Sequence, residues 1–585
     1  MNDPFLEEND NPSSIFLVRL FSKIHLREIP HIIDTLPLKK RIIFWGCFWV
    51  AVLSLVLSIS FLNDRFLSRV PTYGGYFSEG MIGRPAFVNP VLAGTDTDKT
   101  LESLVYSGLL RKLPNGELIS DLAESYAVSD DGKTYTVELK KNIKFHDGKP
   151  LTSDDVLFTI NKIKDPLFKS PERGGWEGVV ATKIDETKIT FSLSEPYALF
   201  PENLTLGILP EHIWKNFTSV DFNNNTFNIN AVGSGPYKIK YVKRGANGTI
   251  ESFILSAFSN FALGKPLINK ITLSFYDDEQ KLSLAYERGE VDAIGGISPE
   301  NVGKSQKESV VRYPLARGFS VFLNQNKKEF FANSVVRQAL LNSIDKNKII
   351  QDVFLGYATV LEGPLPLGSR GAPTNISAST KKTASDSILS LEENGWEKNT
   401  KGIFEKKGKE LTFSLATANI AELKAVAENL KNEWNKIGVR VDIKMYEIGD
   451  LNQEVIRPRG YDALLFGEVI GREPDLFAFW HSSQRFDPGL NVALYTNPKV
   501  DKLLSEARGT TDTTIRTTLY ESIYKNIAND VPAIFLYSPL YLYEKPKQVK
   551  NITPFLITKS ADRFTNIYSW YINEDKVWKI FNTKK

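Results

Sequence analysis

Residues 144–160, KFHDGKPLTSDDVLFTI, set His146 beside Asp147 and follow them with Asp154 and Asp155. Neutral imidazole and carboxylate are the usual ligands of zinc and the usual parts of a proton relay, so chemistry would first be sought here. The spacing points elsewhere. His146 has no second histidine four residues on and no nearby cysteine, which removes the strong zinc patterns. Asp147-Gly148 is a turn dipeptide, and Thr152 with Asp155 three residues later resembles a capping box in which aspartate stands in for Glu or Gln. Asp154 and Asp155 then occupy the first turn of a helix, where carboxylates are favoured by the positive end of the helix dipole.

The remaining candidates fail on pattern. His25, His31, His212 in PEHIW and His481 in FWHSS form no HExxH motif. NVGKS at 301–305 ends like a phosphate loop, but Ser298 stands where that loop needs its first glycine. In GSGPY, 233–237, Gly233 and Gly235 flank Ser234 directly, so the stretch is not a GxSxG nucleophile elbow and reads as a turn closing onto a strand. No catalytic residue, no metal site and no cofactor are expected.

The elements around these residues belong to a long chain. At 585 residues it exceeds one hydrophobic core, and two to four domains are expected on the usual scale of roughly 100 to 200 residues each. A 42 % apolar fraction with a net charge of only +3 argues for a folded protein and against an extended nucleic-acid surface. Residues 42–62, IIFWGCFWVAVLSLVLSISFL, form an uncharged run long enough to cross a bilayer as a helix, for which about 20 residues suffice. A buried soluble helix and a cleaved signal peptide are the competing readings. The run is longer than a signal h-region, and no small-x-small site follows in NDRFLSRV, so an uncleaved anchor is expected. Lys39, Lys40 and Arg41 before it, against Arg65 and Arg69 after it, place the N-terminus inside by the positive-inside rule. Cys47, the single cysteine, lies within the run, so no internal disulfide is possible. Residues 15–26 mix apolar residues with Arg19 and Lys23, as in a short helix on the membrane surface.

Beyond the anchor, strand and helix patterns alternate, which implies mixed α/β domains. TYTVEL at 134–139 alternates Tyr135, Val137 and Leu139 with polar neighbours, as a half-buried strand does. Residues 421–438 place Leu423, Val426, Leu430, Trp434 and Ile437 at helical spacing and stop at Gly438, and VRVDIKM then alternates at period two. No repeat of 20 to 50 residues is present, which removes solenoids and propellers.

A set of segments in order resembles the extracytoplasmic solute-binding proteins of ABC importers, family 5, which comprises oligopeptide, dipeptide and nickel binders. The segments are GGYFSEG near Gly74, Asn89-Pro90, LVYSGLL at 104–110, the block 124–160, VGSGPYKI at 232, VRQALLNSIDKNKII at 336, GPLP at 363, ENGW at 393, YTNPKVDKLLSEA at 495 and NDVPAIFLY at 529. The likeness implies a two-lobed α/β fold of the periplasmic-binding-protein type II, with an extra domain inserted in lobe one and one transmembrane helix ahead of it. The apolar run and its charged flanks give a cytoplasmic segment at 1–41, an anchor at 42–62 and a linker at 63–72. Lobe one takes 71–315 and 545–585, with the inserted domain near 98–210, and lobe two takes 316–544.

The family binds extended peptides by strand addition between the lobes. By position, the resemblance implies that Gly94, Thr95 and Asp96 belong to a lobe-one strand that pairs with ligand, and that 464–475, LLFGEVIGREPD, is the lobe-two counterpart. Peptide-binding members carry an aspartate there for the ligand's amino terminus. In this chain the position four before Pro474 is Ile470, and the nearest preceding acid is Glu468, as if the loop were two residues longer. Glu468 is therefore either an amine partner or a solvated loop carboxylate. Phe319, Phe466 and the neighbouring Gly467 are pocket candidates, with core packing the alternative for the two aromatics. Asn324 is either a ligand contact or a structural hydrogen-bonding residue.

The function implied is capture of oligopeptides and delivery to an ABC permease and its ATPase. The protein is expected as a monomer on the cell membrane, single-pass with its N-terminus inside and its main domain periplasmic or at the cell surface. It is not expected to be an enzyme or to bind nucleic acid. A receptor for a nickel chelate or another small solute, and a sensor or exported enzyme on the same fold, are the rival readings.

Overall fold

A computed structural model describes residues 33–302, 310–373 and 383–579. The 15–26 segment, His25, His31 and positions 303–305 of NVGKS lie outside the described residues. The chain divides into a small unit, residues up to Pro71 together with those from Glu574 onward, and a large unit, Thr72–Asn573.

In the small unit, helix α1 (Leu38–Phe66) contains a 24-residue apolar stretch, Leu38–Phe61, long enough to cross a membrane and with none of it buried. Where the sequence reads as a linker, α1 instead continues to Phe66 and strand β1 (Leu67–Thr72) follows, paired with the strand Asn573–Trp578. The Ser68 hydroxyl donates to the Val577 carbonyl at 3.4 Å, and the Phe66 and Trp578 rings stack with centroids 6.5 Å apart. The partner strand lies some 500 residues away in sequence, so no local pattern reveals this pairing.

The large unit is a two-lobed α/β structure with two principal hydrophobic cores. One core draws on residues from Phe77 to Tyr313 and again from Tyr543 to Trp570, and the other on residues from Val321 to Tyr537. A twelve-stranded sheet joins them among the described residues. Its pivot is one twelve-residue strand, Ala533–Glu544, whose first half pairs with strand Arg317–Leu323 of lobe two and whose second half pairs with strand Val310–Pro314 of lobe one. Partner exchange therefore falls at Leu315-Ala316 on one chain crossing and at Ser538-Pro539 on the other. The two crossings are stitched together: Leu315 N–H donates to the Pro539 carbonyl (3.2 Å), and the Ser538 hydroxyl donates to the Leu315 carbonyl (2.9 Å). Two adjacent crossings of this kind form a hinge.

Within lobe one, a separate four-stranded antiparallel sheet carries strand Thr134–Leu139, with Tyr135, Val137 and Leu139 buried as the alternation predicts. Helix Ser153–Lys164 packs near this sheet, and its cap is the box read from sequence: the Asp155 carboxylate accepts the Thr152 N–H at 2.8 Å and, with its other oxygen, the Glu211 N–H at 2.8 Å. Asp154 pairs with Lys183 (2.7 Å) and Asp147 with His212 (2.8 Å). His146 accepts the Gly233 N–H on Nδ1 (3.3 Å) while its Nε2 faces the Gly235 carbonyl at 3.1 Å, a pattern only the neutral ring with its proton on Nε2 satisfies. Burial lowers its pKa to about 4, which keeps that form at neutral pH. The glycines of GSGPY are needed because a Cβ on Gly233 would lie 2.1 Å from the Val105 carbonyl oxygen. In lobe two, helix Ala421–Lys436 buries Leu423, Val426, Leu430 and Trp434, and Gly438 (φ +80°) follows its end.

Candidate functional site

Strands β2 (Arg317–Leu323) and β3 (Ala463–Val469) run antiparallel in lobe two, with Phe319 opposite Gly467 and Gly318 opposite Glu468. The Phe319 ring lies flat on Tyr537, centroids 4.9 Å apart and planes 5° from parallel, and Tyr537 in turn meets Phe354 at 4.4 Å. Phe319 is thus a half-buried part of the lobe-two core. A Cβ on Gly467 would fall 2.7 Å from the Phe319 ring, which explains a glycine in the middle of a strand. Phe466, on the opposite face of β3, also packs against the core.

Glu468 is not the solvated loop carboxylate of the second reading. It is only 8 % exposed and makes no hydrogen bond or ion pair among the described residues. Burial pushes its carboxyl well above the usual carboxylate range. The cause is strand parity: Glu468 shares the inward face with Ile470, while Val469 between them is exposed. Asn324 has the hydrogen bonds of the structural one of its two readings. Its amide donates to the carbonyls of Arg459 (3.1 Å) and Tyr461 (2.9 Å) and accepts from the N–H groups of Asn326 and Lys327, so its bonding capacity serves a turn.

Gly94, Thr95 and Asp96 are exposed, as a ligand-facing segment should be, but they are not a strand. They lead into helix α2 (Asp96–Val105), capped by Thr95 and Asp98: the Thr95 hydroxyl accepts the Asp98 N–H (3.1 Å) and the Asp98 carboxylate accepts the Thr95 N–H (3.2 Å). The same carboxylate accepts the N–H groups of Ala86 (2.7 Å) and Phe87 (2.9 Å), which ties the preceding loop to the helix start.

The space between the lobes is a cavity of about 910 Å³. One wall is the inserted sheet, with Tyr126, Val128 and Tyr135, and the other is lobe two, with Arg370, Arg472 and Arg516. Pockets for small ligands span about 300–1,000 Å³, so this one lies near the upper end. Glu473 organises the lobe-two wall. Arg370 holds it through Nε at 2.7 and 2.8 Å and through a terminal nitrogen at 2.7 Å, and the buried Arg516 reaches it at 3.3 Å. Arg472 has no carboxylate partner among the described residues. It donates across the cleft to the Pro114 carbonyl at 3.0 Å. A second bridge joins Ala198 N–H to the Arg508 carbonyl (2.9 Å), with the Arg508 guanidinium 5.3 Å from the Tyr197 ring and paired with Asp475 (3.1 Å). Sequence reasoning missed these arginines, although Arg370 follows the GPLP segment and Arg472 lies in the GREPD loop already singled out.

Comparison with known proteins agrees with this geometry. The model for bacterial extracellular solute-binding proteins, family 5 Middle, matches residues 117–487. The oligopeptide-binding protein AppA of Bacillus subtilis is 29 % identical over 515 residues, covering 86 % of this chain and 92 % of that protein. The structure of AppA from Bacillus subtilis in complex with a nonapeptide matches with a TM-score of 0.64 and 28 % identity, over 86 % of this chain and 100 % of that one. NikZ from Campylobacter jejuni, solved in complex with Ni(L-His), matches with a TM-score of 0.65 and 28 % identity, over 85 % and 99 % of the two chains.

Proposed function

The chain belongs to the bacterial extracellular solute-binding proteins of family 5, and from that premise we propose that it captures oligopeptides between its lobes and delivers them to an ABC permease. The observation that carries the peptide reading is the cavity of about 910 Å³ closed between the inserted sheet and lobe two. Its lining alternates aromatic and aliphatic surface with arginine, threonine and asparagine groups, a mixture suited to a ligand of varied side chains and a constant polar backbone. The relatives add weight, since one is named for oligopeptides and a solved neighbour holds a nonapeptide. Gly94, Thr95 and Asp96 on lobe one and Val469 at the end of β3 are exposed but do not line this cavity, whose ligand-facing groups we assign instead to Arg370, Arg472 and Tyr126. No described histidine lines the cavity, which favours peptides over a nickel chelate.

We further propose that α1 holds the protein in the membrane with its N-terminus inside, because its apolar stretch is unburied and the cations Lys39–Arg41 stand at its N-terminal end. Ligand trapped between hinged lobes then shifts an open–closed equilibrium by its preference for the closed form, and the closed form is what a permease would recognise. Thermal unfolding of the full chain in detergent tests the ligand class. A pool of synthetic nonapeptides at a hundred times its Kd should stabilise the fold by about 2.7 kcal/mol, a shift of several degrees. A shift with Ni(L-His) and none with the peptide pool would overturn the peptide reading.

A further inference from the structure

The small unit joins the end of helix α1 to a strand some 500 residues away in sequence. The uncharged run 42–62 covers about 31 Å at 1.5 Å per residue, which matches a hydrocarbon core of about 30 Å. Phe66, the last residue of α1, stands four residues beyond that run, about 6 Å along the helix axis. Each headgroup layer is about 5–7 Å deep, so Phe66 falls within it.

Trp578 is held at the same level. Its ring stacks on Phe66 with planes 14° from parallel, and the Ser68 hydroxyl bonds the neighbouring Val577 carbonyl. The protein leaves both rings half open, Phe66 at 48 % exposure and Trp578 at 45 %. Arg65 and Lys576, close to them in sequence, are exposed as well, and Arg69 reaches Glu574 at 3.5 Å. Two large rings left open beside basic side chains suit water poorly. They suit the bilayer interface, where tryptophan has an apolar body and a polar edge and where cations meet lipid phosphates.

We propose that the strand Asn573–Trp578 docks on the phospholipid headgroup layer of the bilayer that α1 crosses, with the stacked Phe66 and Trp578 rings seated in the interface. This docking rests on the anchor reading of α1 and adds to it a second point of membrane attachment. Thr72 and Asn573, the limits of the large unit, both belong to the two-stranded ribbon, so the large unit is connected to the membrane by two chain segments instead of one.

Depth-dependent fluorescence quenching of the full chain in phosphatidylcholine–phosphatidylglycerol vesicles tests it. The single cysteine, Cys47, is exposed on α1 and takes a dye before reconstitution. A second protein, Cys47→Ser with Lys579→Cys, carries the same dye beside Trp578. The quenchers are lipids spin-labelled at the headgroup or deep in the acyl chain, and iodide in the water. The deep label should dominate at Cys47. At position 579 the headgroup label should quench roughly twofold more than the deep label, and iodide should quench less than in the denatured chain. Adding Trp578→Asp should cut the headgroup quenching roughly twofold, and Trp578→Tyr should preserve it. A Cys47 dye that the deep label leaves bright overturns the anchor reading and this docking with it. Deep quenching at Cys47 together with a 579 dye untouched by either lipid label overturns the docking alone, and shielding of that dye from iodide would then assign the rings to a protein partner. Headgroup quenching indifferent to Trp578→Asp also overturns the docking. Should a Trp578 variant fail to fold, the 579 dye beside the native tryptophan carries the decision.

Discussion

Arg472 of lobe two donates a hydrogen bond across the cleft to the Pro114 carbonyl of lobe one, 3.0 Å away. The contact depends on Gly116, where a Cβ would lie 2.1 Å from the Arg472 Nε and where φ is +84°. The bond spans the cleft, so Arg472→Ala should favour separation of the lobes. We expect peptide affinity to fall roughly three- to tenfold, on the scale of about 1 kcal/mol for one net hydrogen bond, chiefly through faster dissociation. Stopped-flow release of a labelled peptide checks this, and an unchanged off-rate would remove Arg472 from the closure.

Gly467→Ala should destabilise the protein by about 1–3 kcal/mol, because the new methyl meets a Phe319 ring that Tyr537 blocks from behind. Chemical denaturation measures the loss. A double variant, Gly467→Ala with Phe319→Leu, should recover part of it, and additive losses would refute the steric cause.

Glu79 and Arg563 form an ion pair with both side chains fully buried, and the Tyr543 hydroxyl donates to the second Glu79 oxygen at 2.9 Å. It ties the chain after the pivot strand to the centre of the lobe-one sheet. Glu79→Ala leaves an uncompensated guanidinium in the core and should cost about 3–5 kcal/mol. A drop below 1 kcal/mol in denaturant unfolding would contradict the burial of the pair.

Glu468 makes stability depend on pH in a stated direction. Its folded carboxyl titrates well above the ordinary value of 4.5 because burial disfavours the charge. Its contribution is therefore fully present below about pH 4.5 and is lost as pH rises toward the folded pKa, while the unfolded chain ionises and the native one does not. Glu468→Gln removes this loss. The variant should match the parent near pH 4 and become the more stable of the two at pH 7 and above, by up to roughly tenfold in the folding constant per pH unit crossed. Parallel denaturation curves at every pH would place the charge in water instead.

What the sequence made legible was local. The Thr152–Asp155 cap, the alternation of Tyr135, Val137 and Leu139 and the helical spacing of Leu423 to Trp434 are each set by residues within a few positions of one another, and all appear in the fold. Thr95 and Asp98 carry the same cap signature three residues apart, and it outweighs the strand that family likeness implied. The features that were not legible share a different cause. Which face of β3 receives Glu468 turns on a one-residue parity fixed by pairing with Gly318, some 150 positions earlier, and the partner of β1 lies at the other end of the chain. The arginines around Glu473 come from three separate segments that only the fold assembles.

The central claim is that a peptide occupies the space between the lobes. Native mass spectrometry of the full chain released from detergent, with the ligand identified by fragmentation, tests it most directly. The account predicts a bound species that fragments as a peptide and is lost more readily from Arg472→Ala; a bound metal chelate or another non-peptide solute that the nonapeptide pool does not displace would contradict it.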